Sequence, residues 1–342
     1  MTSIVRICNQ TFDDIKSMKL AIRKAIREAT DGNFNSLLNI YFFGCKFNMV
    51  SLFAAFRNFT NFQSVQFIDC SFPNLEDTSF MFDGCTSLEI IEIRMSTFGK
   101  LRFSKDMFCG CTSLKYAILP DDMFSVIEDT SRMFKNCTSL VSFTSNATFG
   151  ALETSSGMFE NCTSIVEIIM QNATFGALVY GLNMFYGCTS LVKIIMPNAT
   201  LAVLLHGDSM FEGCISLVII DLSAATFELL RISVKMFYGC ISIKIIKLPN
   251  ATFAALVNAF EMFYNCMSLV EIIMQNATFD LLKYTKRMFG GCTTLVKIIV
   301  RTKTFGKLTC NKSTFSGCDS ITDETLAAIG FIRQEDGKQP RE

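Results

Sequence analysis

Ten cysteines recur at one place in a repeating pattern, at positions 85, 111, 137, 162, 188, 214, 240, 266, 292 and 318. Thiols at regular intervals could bind a metal, pair as disulfides or act as nucleophiles. The one histidine of the chain, His206, cannot supply a multi-histidine metal site, nor a His-based triad with a clear partner. Disulfide frameworks place cysteines at irregular, mutually facing positions, and the total of 15 is odd. A single column of thiols, all pointing the same way, fits buried and reduced side chains that behave as small hydrophobes. Pairing or metal ligation of some of them is the other reading. Cys109-Gly110-Cys111 is the one tight pair, read as a ladder thiol beside a variable loop residue rather than a redox pair. Burial raises a thiol pKa, so ladder thiols are expected to be poor nucleophiles. His206 lies in the variable segment 202–209 and is expected as a solvent-exposed loop residue. Phosphate-binding glycine motifs are absent. No catalytic, cofactor-binding or metal-binding residue is assigned, no cofactor is expected, and the chain reads as non-enzymatic.

The elements that carry these cysteines are coils of a solenoid. The cysteine interval is 26 residues, except for one of 25 between Cys137 and Cys162, and a fixed period of that length marks a repeat array. One copy reads Met184-Phe185-Tyr186-Gly187-Cys188-Thr189-Ser190-Leu191, followed by Val192-Lys193-Ile194-Ile195-Met196-Pro197. Leu191, Ile194 and Met196 have the spacing of a short strand with alternate residues buried, as do Leu88/Ile91/Ile93, Leu217/Ile220/Leu222, Leu269/Ile272/Met274 and Leu295/Ile298/Val300. A turn of the Asn-Ala-Thr-Phe type follows. Its aromatic position holds Phe98, Phe124, Phe149, Phe175, Phe227, Phe253, Phe279 and Phe305, with Leu201 as the exception. Three residues on stands a leucine or isoleucine, from Leu101 to Leu308. Asn-Ala-Thr at Asn146, Asn172, Asn198, Asn250 and Asn276 is formally a glycosylation acceptor, but asparagine also favours turns, and the turn reading is preferred.

The ends differ from the repeat. Residues 1–32 are expected to form an N-terminal cap with an amphipathic helix. Thr11 and Asp14 resemble a capping pair, Ile15, Met18, Ile22, Ala25, Ile26 and Ala29 fall at helical spacing, and Gly32 is a stop. Its basic face, with Arg23, Lys24 and Arg27, is read as the outer side of a cap or as a surface for an anionic partner. The solenoid is assigned to residues 33–321, about 12 repeats, the first ones degenerate. There Phe56, Phe59 and Phe62 stand for Phe82, Cys85 and Leu88, while Leu37, Ile40 and Phe42 match Phe62, Val65 and Phe67. Residues 322–342 are a C-terminal cap, with a short helix from Thr322 to about Ile332, and a polar, frayed tail from 333.

Lys plus Arg and Asp plus Glu are both 31, and this balance gives no basic stripe for nucleic acid. No apolar run reaches the ~18 residues of a membrane span, and no leader-like apolar core opens the chain, which favours a virion or the cytoplasm over secretion.

The Phe-x-x-Cys-x-x-Leu core, clearest in Met210-Phe211-Glu212-Gly213-Cys214-Ile215-Ser216-Leu217, resembles the BspA-like (Treponema-type) leucine-rich repeat of bacterial and phage surface proteins. That resemblance implies an α/β repeat solenoid, a right-handed coil with a parallel β-sheet on one face. It also implies adhesion or recognition of a protein, cell surface or virion partner. An intracellular scaffold or effector is the alternative.

Function is therefore expected on the outward strand positions. Tyr116, Ile118, Ile169, Lys193, Ile195, Ile219, Asp221, Ile245, Lys247, Ile273 and Ile299 form the candidate interaction face. Exposed isoleucines there mark an interface, for a partner or for a homo-oligomer, or else reflect strand propensity.

Overall fold

A computed structural model describes residues 2–33, 36–300 and 313–331. Every coil contributes one strand to a parallel face, because alternate apolar residues at Leu191, Ile194 and Met196 must all turn inward. The strands are β1 (Thr2–Cys8), β3 (Leu37–Phe43), β5 (Phe62–Ile68), β6 (Ile90–Arg94), β7 (Tyr116–Ile118), β8 (Ser142–Ser145), β9 (Glu167–Met170), β10 (Lys193–Ile195), β11 (Ile219–Asp221), β12 (Ile245–Lys247), β13 (Glu271–Met274) and β14 (Lys297–Val300). All pair in parallel, in blocks of five, four and three, with breaks between β7 and β8 and between β11 and β12. Two-residue strands β2 (Thr11–Phe12) and β4 (Lys46–Phe47) pair beside the first block. A second parallel ladder runs about half a coil away in sequence, one bridge per coil, from Ser51 and Asp77 through Tyr180, His206, Ile232 and Asn258 to Tyr284. Two ladders fix each coil to the next, and the fold is the expected leucine-rich-repeat solenoid. Helices are few.

The core is a set of columns. Phe56, Phe82, Phe108, Phe134, Phe159, Phe185, Phe211, Phe237, Phe263, Phe289 and Phe315 form one continuous ring stack, with centroids 4.8–5.8 Å apart and planes within 20°. Phe331 meets the last ring edge-on at 4.7 Å and closes the stack. A second column stacks Phe227, Phe253 and Phe279 at 5.3 and 5.4 Å. These three residues have φ of +49°, a conformation that costs bulky residues about 1–3 kcal/mol. Burying a phenylalanine contributes about 1.5–3 kcal/mol, enough to offset it. The expected members Phe305 and Leu308 lie outside the described residues.

The cysteine column gains a role that composition did not reveal. Each ladder thiol donates to the main-chain carbonyl of the stacked phenylalanine one coil back: Cys85 to Phe56 at 3.1 Å, Cys188 to Phe159 at 3.0 Å, Cys318 to Phe289 at 2.8 Å. The thiols are thus buried cross-coil donors. No disulfide occurs among the described residues. Burial pushes Cys85 and Cys214 up to about 12 and raises Cys188 well above the usual thiol range. Cys109, half-buried, is also raised to about 12, by burial first and then by the nearby Asp106 carboxylate.

The Gly/Asn choice before each cysteine also has a physical cause. This residue is left-handed in every clear coil, with φ of +69° at Gly187 and +59° at Asn161, a region that glycine and asparagine enter most easily. A Cβ at Gly187 would lie 2.5 Å from Asn161 Oδ1, so a side chain there would require that amide to move, whereas Asn161 itself sits above Asn136 with its Nδ2 donating to Asn136 Oδ1 at 3.2 Å.

At the N-terminus, α1 (Ile15–Thr30) buries Met18, Ile22 and Ile26 in the core. Its N-cap is Asp14, accepting from Ser17 N at 2.7 Å, rather than a Thr11 pair, and Asp31 in the left-handed region ends it. Before the helix stands β1, which sequence reading did not assign; its alternating Val5 and Ile7 join the core and it pairs with β3. A bulge at Leu38/Asn39 places Leu38, not Leu37, opposite Phe62. At the other end α2 (Asp323–Ala328) is capped by Thr322, whose hydroxyl accepts from Thr325 N at 3.2 Å. It stops four residues short of Ile332, followed by Gly330 at φ +85°. Ile332 and the tail 333–342 lie outside the described residues.

Two outcomes are expected. Phe211→Ala opens a void in the ring stack and costs about 3–5 kcal/mol in chemical denaturation; a loss within experimental error would show that the stack does not hold the core. In native protein at pH 8 the exposed Cys8 alkylates promptly while the ten ladder thiols stay unmodified until denaturant is added. Rapid native labelling of Cys188 would contradict the buried ladder.

Candidate functional site

The strand alternation that buries Ile194 sends Lys193 and Ile195 outward, and pairing aligns each outward residue with its counterpart in the next coil. Ile169 lies opposite Ile195 and Ile273 opposite Ile299. Lys193 faces Ile219, Ile195 faces Asp221, and Lys247 faces Ile273. Exposure splits these residues. Tyr116, Ile118, Ile219, Ile245 and Lys247 are exposed, while Ile169, Lys193, Ile195, Asp221, Ile273 and Ile299 are half-buried by their neighbours along the columns. The two isoleucine pairs are contiguous but offer less free surface than Ile219 and Ile245. Those two stand in adjacent coils on either side of the break between β11 and β12. Charge is interleaved: Lys115 Nζ lies 2.7 Å from Glu89 Oε2, and Lys297 Nζ 2.8 Å from Glu271 Oε1. The Lys115 ammonium beside Glu89 holds that carboxyl below the usual carboxylate range. Lys244 and Lys247 form no ion pair among the described residues.

A further column went unread in the sequence. Val141, Val166, Val192, Val218, Val270 and Val296 stand one residue before the strands, each 37–46 % exposed. The signal was there, since each follows the invariant Leu or Ile of its repeat, but counting alternation inside the strand skipped it. The residue after each cysteine is more informative. It is threonine in most coils, and its hydroxyl donates to the carbonyl of the threonine one coil back: Thr138 to Thr112 at 3.2 Å, Thr163 to Thr138 at 3.4 Å, Thr189 to Thr163 at 3.5 Å. Three consecutive coils abandon this ladder. Ile215, Ile241 and Met267 take the position, 41, 38 and 49 % exposed, and the bond resumes with Thr293 to the Met267 carbonyl at 3.3 Å. The exposed Val218, Ile219, Ile245 and Val270 belong to the same coils.

Asn-Ala-Thr is a second structural ladder. Thr200 Oγ1 donates to Thr174 O at 3.2 Å, Asn198 Nδ2 to Gln171 O at 2.9 Å, and Ala199 is fully buried. His206 is not the free loop residue expected. Its main chain is a rung of the second bridge ladder, its ring stacks on Tyr180 at 5.7 Å, and its Nδ1 lies 3.8 Å from Asp208 Oδ2. No group of three or more His, Cys, Asp or Glu that could hold a metal occurs among the described residues. No helix there is long and apolar enough to cross a membrane.

Comparison with known proteins matches the repeats to a family described as "BspA type Leucine rich repeat region (6 copies)", at residues 42–162, 101–229, 157–261 and 207–333. No curated protein matches the chain. Among solved structures, a leucine-rich repeat protein from Bacteroides ovatus is 19 % identical, with a TM-score of 0.46 over 80 % of this chain and 70 % of that one. A leucine rich cell surface protein from Faecalibacterium prausnitzii is 18 % identical, with a TM-score of 0.41 over 86 % of both chains. A leucine rich repeat protein of T. pallidum is 18 % identical, with a TM-score of 0.36 over 61 % of this chain and 78 % of that one. The matched copies span the array from its degenerate start to its C-terminal cap, and the chain belongs to the BspA-type leucine-rich repeat family.

Proposed function

We propose that this solenoid is a non-enzymatic recognition module that binds a protein partner through its sheet face, centred on the coils of Cys214, Cys240 and Cys266. The loss of the threonine rung at three adjacent coils carries the reading. Ile215, Ile241 and Met267 give up a hydrogen bond available to their neighbours and place apolar side chains in water instead. Neither core packing nor coil stacking requires that exchange. A contiguous exposed apolar area is the signature of an interface, and Val218, Ile219, Ile245 and Val270 enlarge it. Tyr116 and Ile118 extend the same face toward the N-terminus, and Ile195 and Ile273 flank its centre. Lys244 and Lys247, which form no ion pair among the described residues, give the face a basic rim, so the partner presents an apolar centre with acidic surroundings. This chemistry would serve equally on a virion, on a cell surface or within a cell.

The test restores the repeat. Ile215→Thr, Ile241→Thr and Met267→Thr together return the consensus residue to all three coils. The melting temperature is expected to hold or rise. Recovery of the partner captured by the parent chain is expected to fall at least tenfold, as hot-spot losses above about 2 kcal/mol imply. Cross-links from Lys244 and Lys247 to that partner should be lost with it. Partner binding unchanged in the triple variant, or cross-links mapping away from these coils, would overturn the assignment.

A further inference from the structure

On the second bridge ladder, away from the sheet, the outward column reads Tyr180, His206, Ile232, Asn258, Tyr284. Ile232 and Asn258 are shorter than the rings on either side, so the column dips between His206 and Tyr284. Three coils separate those rings, about 14 Å at the inter-strand spacing. The dip is a groove of about 340 Å³, with Leu205, Arg231 and Val257 completing its lining. That size sits at the low end of small-ligand clefts, about 300–1,000 Å³.

Arg231 sets the charge. Of the six arginines between residues 57 and 287, Arg57, Arg94, Arg102, Arg132 and Arg287 each pair with a carboxylate. Arg231 alone of these has no ion pair among the described residues. Lys283, two coils on and in line with Arg231 and Val257, also has none. At one end, Asp208 Oδ2 lies 3.8 Å from His206 Nδ1, and Asp208 Oδ1 accepts from Val234 N at 3.3 Å. A guanidinium with both edges free matches a carboxylate in bidentate geometry. The Asn258 side-chain oxygen accepts from Phe260 N at 3.0 Å, which leaves its NH2 group available as a donor. The Tyr284 hydroxyl and the His206 ring add two more polar groups around a floor of Ile232 and Val257. Four polar groups on so small an apolar floor suit a ring studded with hydroxyls better than an amino-acid side chain, which offers one polar end.

We infer that this groove binds an acidic sugar, with the carboxylate on Arg231, ring hydroxyls on Asn258 and Tyr284, and the apolar face of the pyranose on Ile232 and Val257. The site is separate from the proposed protein-binding face, although it occupies the same coils.

Ligand-observed NMR and calorimetry on the full chain test this with defined probes: N-acetylneuraminic acid, glucuronic acid, its methyl ester, N-acetylglucosamine and N-acetylglutamate amide. The acids are expected to bind in the millimolar range or tighter. The ester and the neutral sugar should bind about tenfold more weakly or worse, the loss of one charge-assisted contact. Arg231→Gln should bring the acids down to the level of the ester with an unchanged melting temperature, and Tyr284→Ala should weaken them several-fold. Should Arg231→Gln fail to fold, the acid-against-ester comparison on the parent chain decides alone. Equal binding of acid and ester, undiminished binding by Arg231→Gln, glutamate amide binding as well as the sugars, or no binding by any probe would each overturn the inference.

Discussion

Main-chain hydrogen bonds between successive coils hold them about 4.8 Å apart, and every other feature accommodates that distance. Side chains of one column have no freedom to seek different partners; each meets its own counterpart above and below. Phenylalanine rings answer this by lying nearly parallel and offset, at the centroid separations aromatic pairs favour. Carboxylates and ammonium groups answer it by alternating between coils, as at Glu89 and Lys115 or Glu271 and Lys297. Where like charges would otherwise repeat along a column, the spacing itself would penalise them.

The same constraint explains why conspicuous motifs are structural. Met-Phe-x-Gly/Asn-Cys recurs in nine of the ten clear copies, with Thr314 replacing the methionine in the last, because its residues serve columns: a stacked ring, a left-handed turn, a thiol donor. Asn-Ala-Thr recurs in five copies for similar reasons. A side chain outside these columns has no obligation to its neighbours along the array, so a column can break its rule without loss of the coil. Ile215, Ile241 and Met267 break the threonine rule, and Arg231 breaks the pattern of paired arginines.

Much of this was legible in the sequence. The period fixed the coils, and the inward positions from Leu88 to Leu295 could be named because burial and periodicity speak the same language. What escaped had causes of three kinds. β1 precedes the helix and lacks the repeat consensus, so only its pairing with β3 identifies it. The bulge at Leu38 shifts a register by one residue, which spacing alone does not reveal in a degenerate coil. For the candidate site, alternation named Tyr116, Ile118, Ile219, Ile245 and Lys247, all of which the structure exposes. It also named Ile169, Ile195, Ile273 and Ile299, which neighbours along their columns half-cover. Counting within a strand could not reach Ile215 or Val218, which lie on the turn leading into it. His206 looked isolated because its ladder partners, Tyr180 and Ile232, share no residue type with it.

The thiol ladder also runs one way. Each cysteine hangs on the carbonyl of the coil before it, and the series starts at Phe56, in the coil where Phe59 replaces cysteine and so asks for no acceptor of its own. That degenerate coil therefore ends this thiol column by chemistry, although β1 and β3 continue the sheet beyond it. Shortening the array from its C-terminal side leaves behind a carbonyl that keeps its bond within the coil, as Phe289 O keeps the Cys292 N–H at 3.1 Å. Shortening it from the other side strands a buried thiol with nothing to donate to. The two ends of this molecule are not interchangeable as places to cut, splice or graft.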